Sequence, residues 1–541
     1  MLVNVTAPRA TADGACAFRA GFDSDPRRST RGDARRHAPL GRGDAALVDS
    51  RRTLQAGLWV GFYHGGQALV AIGVLIALAR ILDPHDFAVA AVAFSVVSLF
   101  TPIAEGFFND VILQRRRLGA GDLSSAWLGS IALGAVLWLA LWALANPIAW
   151  LVGLPEVAEL LPWMALTLFI GGCMGVPAAF ARRRGRYKAL AGFVMPGRLL
   201  GAAVGIGAAL LGFGAWSVVA QHLASTASYT VLVLAGAGLR LRPRLFAARR
   251  LRDLSRFSLA SLTDVLLLPA YARIATPLVS ALLGPAATAY WNIALRIVDM
   301  LYGMVYSAAA HLTLPLLARR QHDKAAMREA FVACTGIASL MVLPVFAGMA
   351  VTAPELVLVL LGPSWLPAAP LVTIFSLTAI LLFVRQFVIV AITALGRPGH
   401  STRMSAQGLG LGLAGLAAGA PFGLAAAAAA SALRALPLFV PGLALMRRTS
   451  GMGALDQLRP AIRPLLATAL MALLVLAARH ALVAAEFSAP AVLAGCVAAG
   501  AIFYGLAVLV LARAPLALLL GSAGFGRHRI PTAPAEGASL P

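Results

Sequence analysis

The chain has 541 residues, of which 60% are hydrophobic and only 12% charged, with a mean hydropathy of +0.82. A soluble domain carries about 25% charged residues, so this composition excludes an ordinary water-soluble globule. The net charge of +23 does not point to nucleic acid. The basic residues sit in short connections between long apolar runs, where they act as topology signals and as contacts for anionic membrane lipid.

Residues 1–50 are polar, rich in Arg, Asp and Gly, and without periodicity, which reads as a disordered cytoplasmic tail. The first apolar run, Leu58 to Leu78, is too long for the core of a secretory signal. A membrane helix needs about 20 mostly apolar residues, and on that rule roughly fourteen spans follow. They start near Gln55, Phe87, Ser125, Leu160, Ala189, Ala215, Ser258, Ala287, Ala330, Ala368, Thr402, Phe422, Pro464 and Pro490. The predicted fold is an all-α polytopic membrane protein.

The connections alternate in charge. One set carries Arg115-Arg116-Arg117, Arg182 to Lys188, Arg240 to Arg256, Arg319 to Arg328, Arg397 with Arg403, Arg447 to Arg463, and Arg513 to Arg529. The other set, around Pro84, Pro155, Phe213, Pro285, Pro363, Phe422 and Glu486, carries almost no positive charge; only Arg80 and Arg479 break the rhythm. Cytoplasmic loops hold the excess of Lys and Arg, so both termini are expected inside.

An internal repeat is also expected. Leu82-Asp83-Pro84 resembles Leu283-Gly284-Pro285, and Gly212-Phe213-Gly214 resembles Pro421-Phe422-Gly423 at nearly the same separation. Residues 51–245 then form a first six-helix lobe and 246–450 a second, in parallel orientation. Residues 451–515 supply two further helices and 516–541 a cytoplasmic tail. Gly408 to Gly419 lies inside a span and reads as close helix packing.

Charges at membrane depth normally face a bundle interior or a water-filled cavity. Those expected to line a cavity and bind substrate are Arg198, Arg273, Arg296, Arg385 and Arg434, with Asn292 beside them; Asp264 and Asp299 are the candidates for ion coupling. Asn292, Arg296 and Asp299 fall at i, i+4 and i+7, one face of one helix. Arg296 and Asp299 could equally neutralise one another, and Arg385 could snorkel towards the cytoplasm. Arginine outnumbers acid, which favours an anionic cargo such as a diphosphate that a planar guanidinium grips with two hydrogen bonds. Glu105 and Asp110 read as boundary charges, and His64 and His311 as packed residues.

Signals for catalysis are poor, so a non-enzyme is expected. The outer connections are short and largely apolar, and no GxxxxGK[ST] phosphate loop occurs. The four cysteines (Cys16, Cys173, Cys334 and Cys496) have spacing that suits neither zinc nor a disulfide framework, and no cofactor or metal is implied.

From Gln55 to Arg513 the chain resembles the polysaccharide (O-antigen type) flippases of the multidrug/oligosaccharidyl-lipid/polysaccharide exporter superfamily. The resemblance is carried by Ala79-Arg80-Ile81-Leu82-Asp83-Pro84-His85-Asp86-Phe87, Gln114-Arg115-Arg116, and Gly212-Phe213-Gly214-Ala215-Trp216-Ser217 with Gln221. Leu283-Gly284-Pro285 with Tyr290, Leu361-Gly362-Pro363-Ser364-Trp365 and Gly396-Arg397-Pro398 complete it. Similar proteins often carry an Asp-Asn pair before the Leu-Gly-Pro stretch; here Ala275 and Thr276 stand there, with Asp264 about three turns earlier.

The resemblance implies two six-helix lobes in a V around a central cavity in a bacterial inner membrane. It implies passage of an undecaprenyl-diphosphate-linked oligosaccharide from the cytoplasmic to the periplasmic leaflet, driven by an ion gradient. A polysaccharide polymerase with its chain-length machinery, or a ligase, would then take over. A lipid II flippase and a multidrug antiporter of the same superfamily are the alternatives, and a membrane glycosyltransferase or polymerase a more distant one.

Overall fold

A computed structural model describes residues 66–115, 118–238, 243–319, 324–394, 398–435, 443–444, 447–448 and 451–511. The chain divides into two units, Met1–Val60 and Gly61–Pro541, and every described residue lies in the second. The tails expected at 1–50 and 516–541, and His64, lie outside the described residues.

Helices α1 (Gly66–Ile81), α2 (Pro84–Gly106) and α3 (Asn109–Gln114) open the described chain. Pro84 starts α2 because its missing N–H falls where a helix has no acceptor for one, and Asp86 in the first turn faces the positive end of the helix dipole. There follow α4 (Ala120–Ala143), α5 (Ala145–Val152), α6 (Val157–Arg183), α7 (Tyr187–Leu210) and α8 (Trp216–Gly236). A long α9 (Ala248–Arg319) precedes α10 (Lys324–Val351), α11 (Ala353–Leu360), α12 (Ala369–Ala394), α13 (Pro398–Gly419) and α14 (Leu424–Ala432). Helices α15 (Ala454–Ala484) and α16 (Ala489–Leu511) close the series. Among the described residues there is no strand.

Ten helical stretches among the described residues are long and apolar enough to cross a membrane, and α1 is a shorter apolar helix. One of the ten, Ala270–Gly303, spans a reversal. Straight, the 72 residues of α9 would extend over roughly 100 Å, several times the ~30 Å hydrocarbon core. Instead Gly284 takes φ 82°, ψ −177°, and Asn292 Nδ2 donates to Thr276 Oγ1 over 3.4 Å. Those two residues would stand about 24 Å apart on a straight helix. The hairpin follows from its sequence: Pro285 drives the preceding residue out of helical geometry, and glycine accepts the conformation that results.

Hydrogen bonds sort the connections into two ends. At one end, Arg80 donates to the carbonyls of Leu360 (3.0 Å) and Val359 (2.5 Å), and the Trp365 indole donates to Ala79 O (2.7 Å). At that end too, His85 meets Glu156, Ser280 donates to Val152 O, and Arg479 grips Glu355 through contacts of 2.8–2.9 Å. At the other end Arg183 bonds Arg115 O (2.6 Å), Arg186 bonds Gly236 O, and Arg328 pairs with Asp456 (2.9 Å). The arginine-rich connections therefore gather together, and the arginine-poor ones gather opposite. Arg80 and Arg479, the two exceptions to the charge rhythm, are both tied to acceptors at the arginine-poor end.

Lipid tails are as apolar as leucine, so helices in a bilayer associate through close packing rather than through exclusion of water. A Cβ on Gly172 would stand 2.6 Å from Ser130 O, and one on Gly134 2.6 Å from Leu168 O, which locks α4 against α6. Gly415 and Gly419 abut the carbonyls of Ala430 and Ala426 in the same way, joining α13 to α14. One large apolar cluster runs from Val74 to Val219; a second runs from Ala275 to Met452 and also takes in Leu75, Ala79, Phe87, Ala88 and Ala91.

Candidate functional site

Two adjoining cavities lie where α2 meets the hairpin of α9. The smaller, about 370 Å³, is bounded by α1, α2, α7, α8 and the second arm of α9. Its polar groups are Arg198, Gln221, His222, Ser225 and Arg296; aliphatic side chains such as Val70, Val74, Leu75 and Leu78 line it too. The larger, about 640 Å³, is lined by Tyr271, Arg273, Asn292, Arg296, Asp299 and Arg434, with hydroxyls from Ser95, Ser98, Thr378, Ser405 and Ser431. Phe94, Arg296 and Met300 border both.

Helical periodicity places these groups. Asn292, Arg296 and Asp299, expected on one helix face, all border the larger cavity. The Arg296 guanidinium lies over the rings of Phe94 (4.9 Å to the centroid) and Phe87 (5.9 Å), while the His222 ring stacks on Phe94 at 4.5 Å. Arg434 lies over Tyr271 at 3.5 Å and donates to Ser431 O. Stacking on an aromatic face stabilises a guanidinium yet leaves its in-plane N–H groups available for hydrogen bonds.

Arg296 and Asp299 do not form an ion pair, and among the described residues neither Arg273 nor Arg434 closes one with Asp299. Four guanidiniums and one carboxylate thus border the two adjoining cavities, an arrangement with a net positive field for an anionic guest.

Of the expected site residues, Arg198 faces the smaller cavity, Arg273, Asn292, Asp299 and Arg434 the larger, and Arg296 both. The side chains of Asp264, Arg385 and His311 lie outside the described residues. Glu105, expected as a boundary charge, packs inward, so that a Cβ on Gly171 would meet its Cγ at 2.8 Å. Ala275 and Thr276, where similar proteins carry Asp-Asn, are both fully buried in packing rather than open to the cavity. Sequence reasoning missed His222, Tyr271 and Phe94. A histidine adjoining Gln221, and a tyrosine two residues before Arg273, were the available signals. Among the described residues no three His, Cys, Asp or Glu side chains assemble into a metal-binding group.

The sequence profile of the family described as "Polysaccharide biosynthesis protein" matches residues 77–370. The succinoglycan biosynthesis transport protein ExoT of Rhizobium meliloti (strain 1021) is 29% identical over 308 residues, which is 56% of this chain and 61% of that protein. The lipopolysaccharide biosynthesis protein WzxC of Escherichia coli (strain K12) is 22% identical over 328 residues, 58% of this chain and 64% of that protein. The chain thus matches under two thirds of the length of these relatives.

Among solved structures, the lipid II flippase MurJ in an inward closed conformation superposes with a TM-score of 0.67 at 11% identity, covering 85% of this chain and 98% of that one. An inward-facing multidrug resistance MATE family transporter of the MOP superfamily gives 0.59 at 16% identity, covering 71% and 94%. These likenesses establish the fold. The profile match, over more than half its length, makes this multi-pass membrane protein a member of the polysaccharide biosynthesis protein family.

Proposed function

We propose that the protein is a flippase that carries an undecaprenyl-diphosphate-linked oligosaccharide from the cytoplasmic to the periplasmic leaflet of a bacterial inner membrane. The observation that supports this reading is the excess of arginine around the paired cavities: Arg198, Arg273, Arg296 and Arg434 against Asp299. A diphosphate or an acidic sugar offers paired oxygens that match the fork of a guanidinium. A cationic drug would be repelled by the same field, which weighs against a multidrug antiporter.

In this reading roughly fourteen spans are arranged as two six-helix lobes, 51–245 and 246–450, with 451–515 appended and both termini cytoplasmic. The lobes rock about the cavities, so that the headgroup changes side while the lipid tail stays in the bilayer. Arg198, Arg273 and Arg296 hold the diphosphate or acidic sugars, with Arg385 and Arg434 as further contacts; Asp264 and Asp299 couple the cycle to an ion gradient. The chain acts as a carrier rather than a catalyst, and a polysaccharide polymerase with its chain-length machinery, or a ligase, receives the product. The hydrogen bonds at the arginine-poor end support a state closed to the periplasm.

The test is export of surface polysaccharide in a strain whose own copy is deleted and replaced by the Arg198→Ala/Arg273→Ala variant. The reading expects export to be lost while the variant still reaches the membrane; unchanged export refutes the assignment. A lipid II flippase shares the demand for a diphosphate site. That alternative is distinguished by whether the wild-type gene restores growth to cells depleted of lipid II flipping.

A further inference from the structure

The segment that leads into α9 carries chemistry the cavities do not use. Residues 244–256 hold five arginines (Arg244, Arg249, Arg250, Arg252 and Arg256) and one acid, Asp253. From Ala248 onward they are the opening turns of α9, and helical spacing sorts them by face. Leu254 is buried with Phe108 and Leu123, and Leu251 packs on the same cluster and against Gly129 of α4. Arg249, Arg252 and Arg256, at i, i+3 and i+7, are exposed on the opposite face.

Length and neighbours set the depth of these turns. From Ala248 to the turn at Gly284 the arm is unbroken helix, about 55 Å long. A bilayer is about 40–45 Å thick with its headgroups and ~30 Å without them. The far end of the arm lies at the arginine-poor side, where Ser280 donates to Val152 O, so its first turns reach the headgroup layer opposite. Packing gives the same level: the Arg250 guanidinium lies against Gly121 near the start of α4, and Ala247 N donates to Ser125 Oγ over 3.0 Å.

Two large apolar side chains stand open just before the helix, Leu245 and Phe246, 40% and 45% exposed. Among the described residues Arg249, Arg252 and Arg256 close no ion pair, with Asp253 or with any other acid. A free anion would answer the charge and leave Leu245 and Phe246 in water. An anionic phospholipid answers both, with its phosphate at the guanidiniums and its acyl chains beside the leucine and phenylalanine.

We infer that residues 244–256 form a binding surface for anionic phospholipid in the leaflet at the arginine-rich end. Arg249, Arg252 and Arg256 hold the headgroup phosphates, and Leu245 and Phe246 sit among the acyl chains. This goes beyond the flippase reading and is independent of the cargo. Tyr271 and Arg273 project from the same helix into the larger cavity, so bound lipid steadies the arm that lines it.

The experiment uses the full chain in phosphatidylcholine nanodiscs, with a bimane dye on Ala248→Cys, an exposed position, and with Cys16, Cys173, Cys334 and Cys496 replaced by alanine. Spin-labelled phosphatidylglycerol and spin-labelled phosphatidylcholine are titrated in as quenchers. Phosphatidylglycerol is expected to quench at about tenfold lower mole fraction. Arg249→Gln/Arg252→Gln/Arg256→Gln should erase that preference. Arg447→Gln/Arg448→Gln/Arg459→Gln, which removes as many exposed arginines elsewhere at the same end, should keep it. Thermal melting checks the fold of each variant, and the three single Arg→Gln changes, each expected to lower the preference part way, serve where the triple variant melts early.

Equal quenching by the two lipids in the parent overturns the inference. So does a preference that both triple variants abolish alike, since general charge and not this surface would then attract the lipid. Relief of the quenching by soluble glycerol phosphate overturns it too, because the surface would then serve a free anion. The dye reports without any cargo present, so each of these failures leaves the flippase reading standing.

Discussion

Trp365 donates its indole N–H to the backbone carbonyl of Ala79 across 2.7 Å, joining residues 286 positions apart. The same ring meets Phe87 edge-on at 5.2 Å and Tyr290 at 6.1 Å, and Arg80 next to the acceptor caps the carbonyls that end α11. The arginine-poor end of the bundle is thereby fastened between its earliest helices and the segment between α10 and α12. Trp365→Phe keeps most of the packing and loses one hydrogen bond, a cost of about 0.5–1.5 kcal/mol. Trp365→Ala should cost about 3–5 kcal/mol, since the side chain is fully buried. Thermal unfolding measures both. A cysteine placed at Ala79 should become more reactive to a membrane-impermeant reagent in Trp365→Phe than in the parent.

Arg479 and Glu355 form a largely buried pair, 26% and 10% exposed. Breaking such a pair from one side leaves the partner's charge uncompensated and costs about 3–5 kcal/mol, while replacing both sides removes that penalty. Glu355→Gln should therefore lower the melting temperature more than Glu355→Gln/Arg479→Gln does. A double variant that is at least as unstable as the single would show that the two groups act independently.

Gly172 and Gly207 should respond in opposite directions to the same substitution. A Cβ at Gly172 would press on Ser130 O, whereas at Gly207 nothing lies within 4 Å. Gly172→Ala is expected to destabilise by about 1–3 kcal/mol through overpacking. Gly207→Ala is expected to hold stability or raise it by up to about 1 kcal/mol, because alanine favours the helix. Melting in detergent, with membrane yield as a second readout, distinguishes the two.

The apolar runs and the arginine rhythm were legible in the sequence because the bilayer enforces both: a span must be long and apolar, and its flanking charges sort by side. The alignment of Asn292, Arg296 and Asp299 was legible because helical spacing is local. What could not be read depends on contacts distant in sequence. The partners of Arg80 and Arg479 lie 280 and 124 residues away, so each arginine looked like a lapse in the charge pattern. His222 and Tyr271 join the cavities only because Phe94 and Arg434 arrive from other helices to stack on them. The division into two cavities, with Arg296 between, arises from how α9 folds back at Gly284, a tertiary event that Leu283-Gly284-Pro285 marks as a turn without fixing what the turn brings together.

Translocation itself provides the most direct test. Purified protein is reconstituted into vesicles with a fluorescent prenyl-diphosphate-linked oligosaccharide bearing a uronic acid, and its passage between leaflets is followed by quenching from outside. The wild type should move the lipid faster than protein-free vesicles, and Arg198→Ala/Arg273→Ala should slow that movement by at least about tenfold, equivalent to ~1.4 kcal/mol. Equal rates for the variant and the wild type would contradict an arginine-lined route for an anionic headgroup.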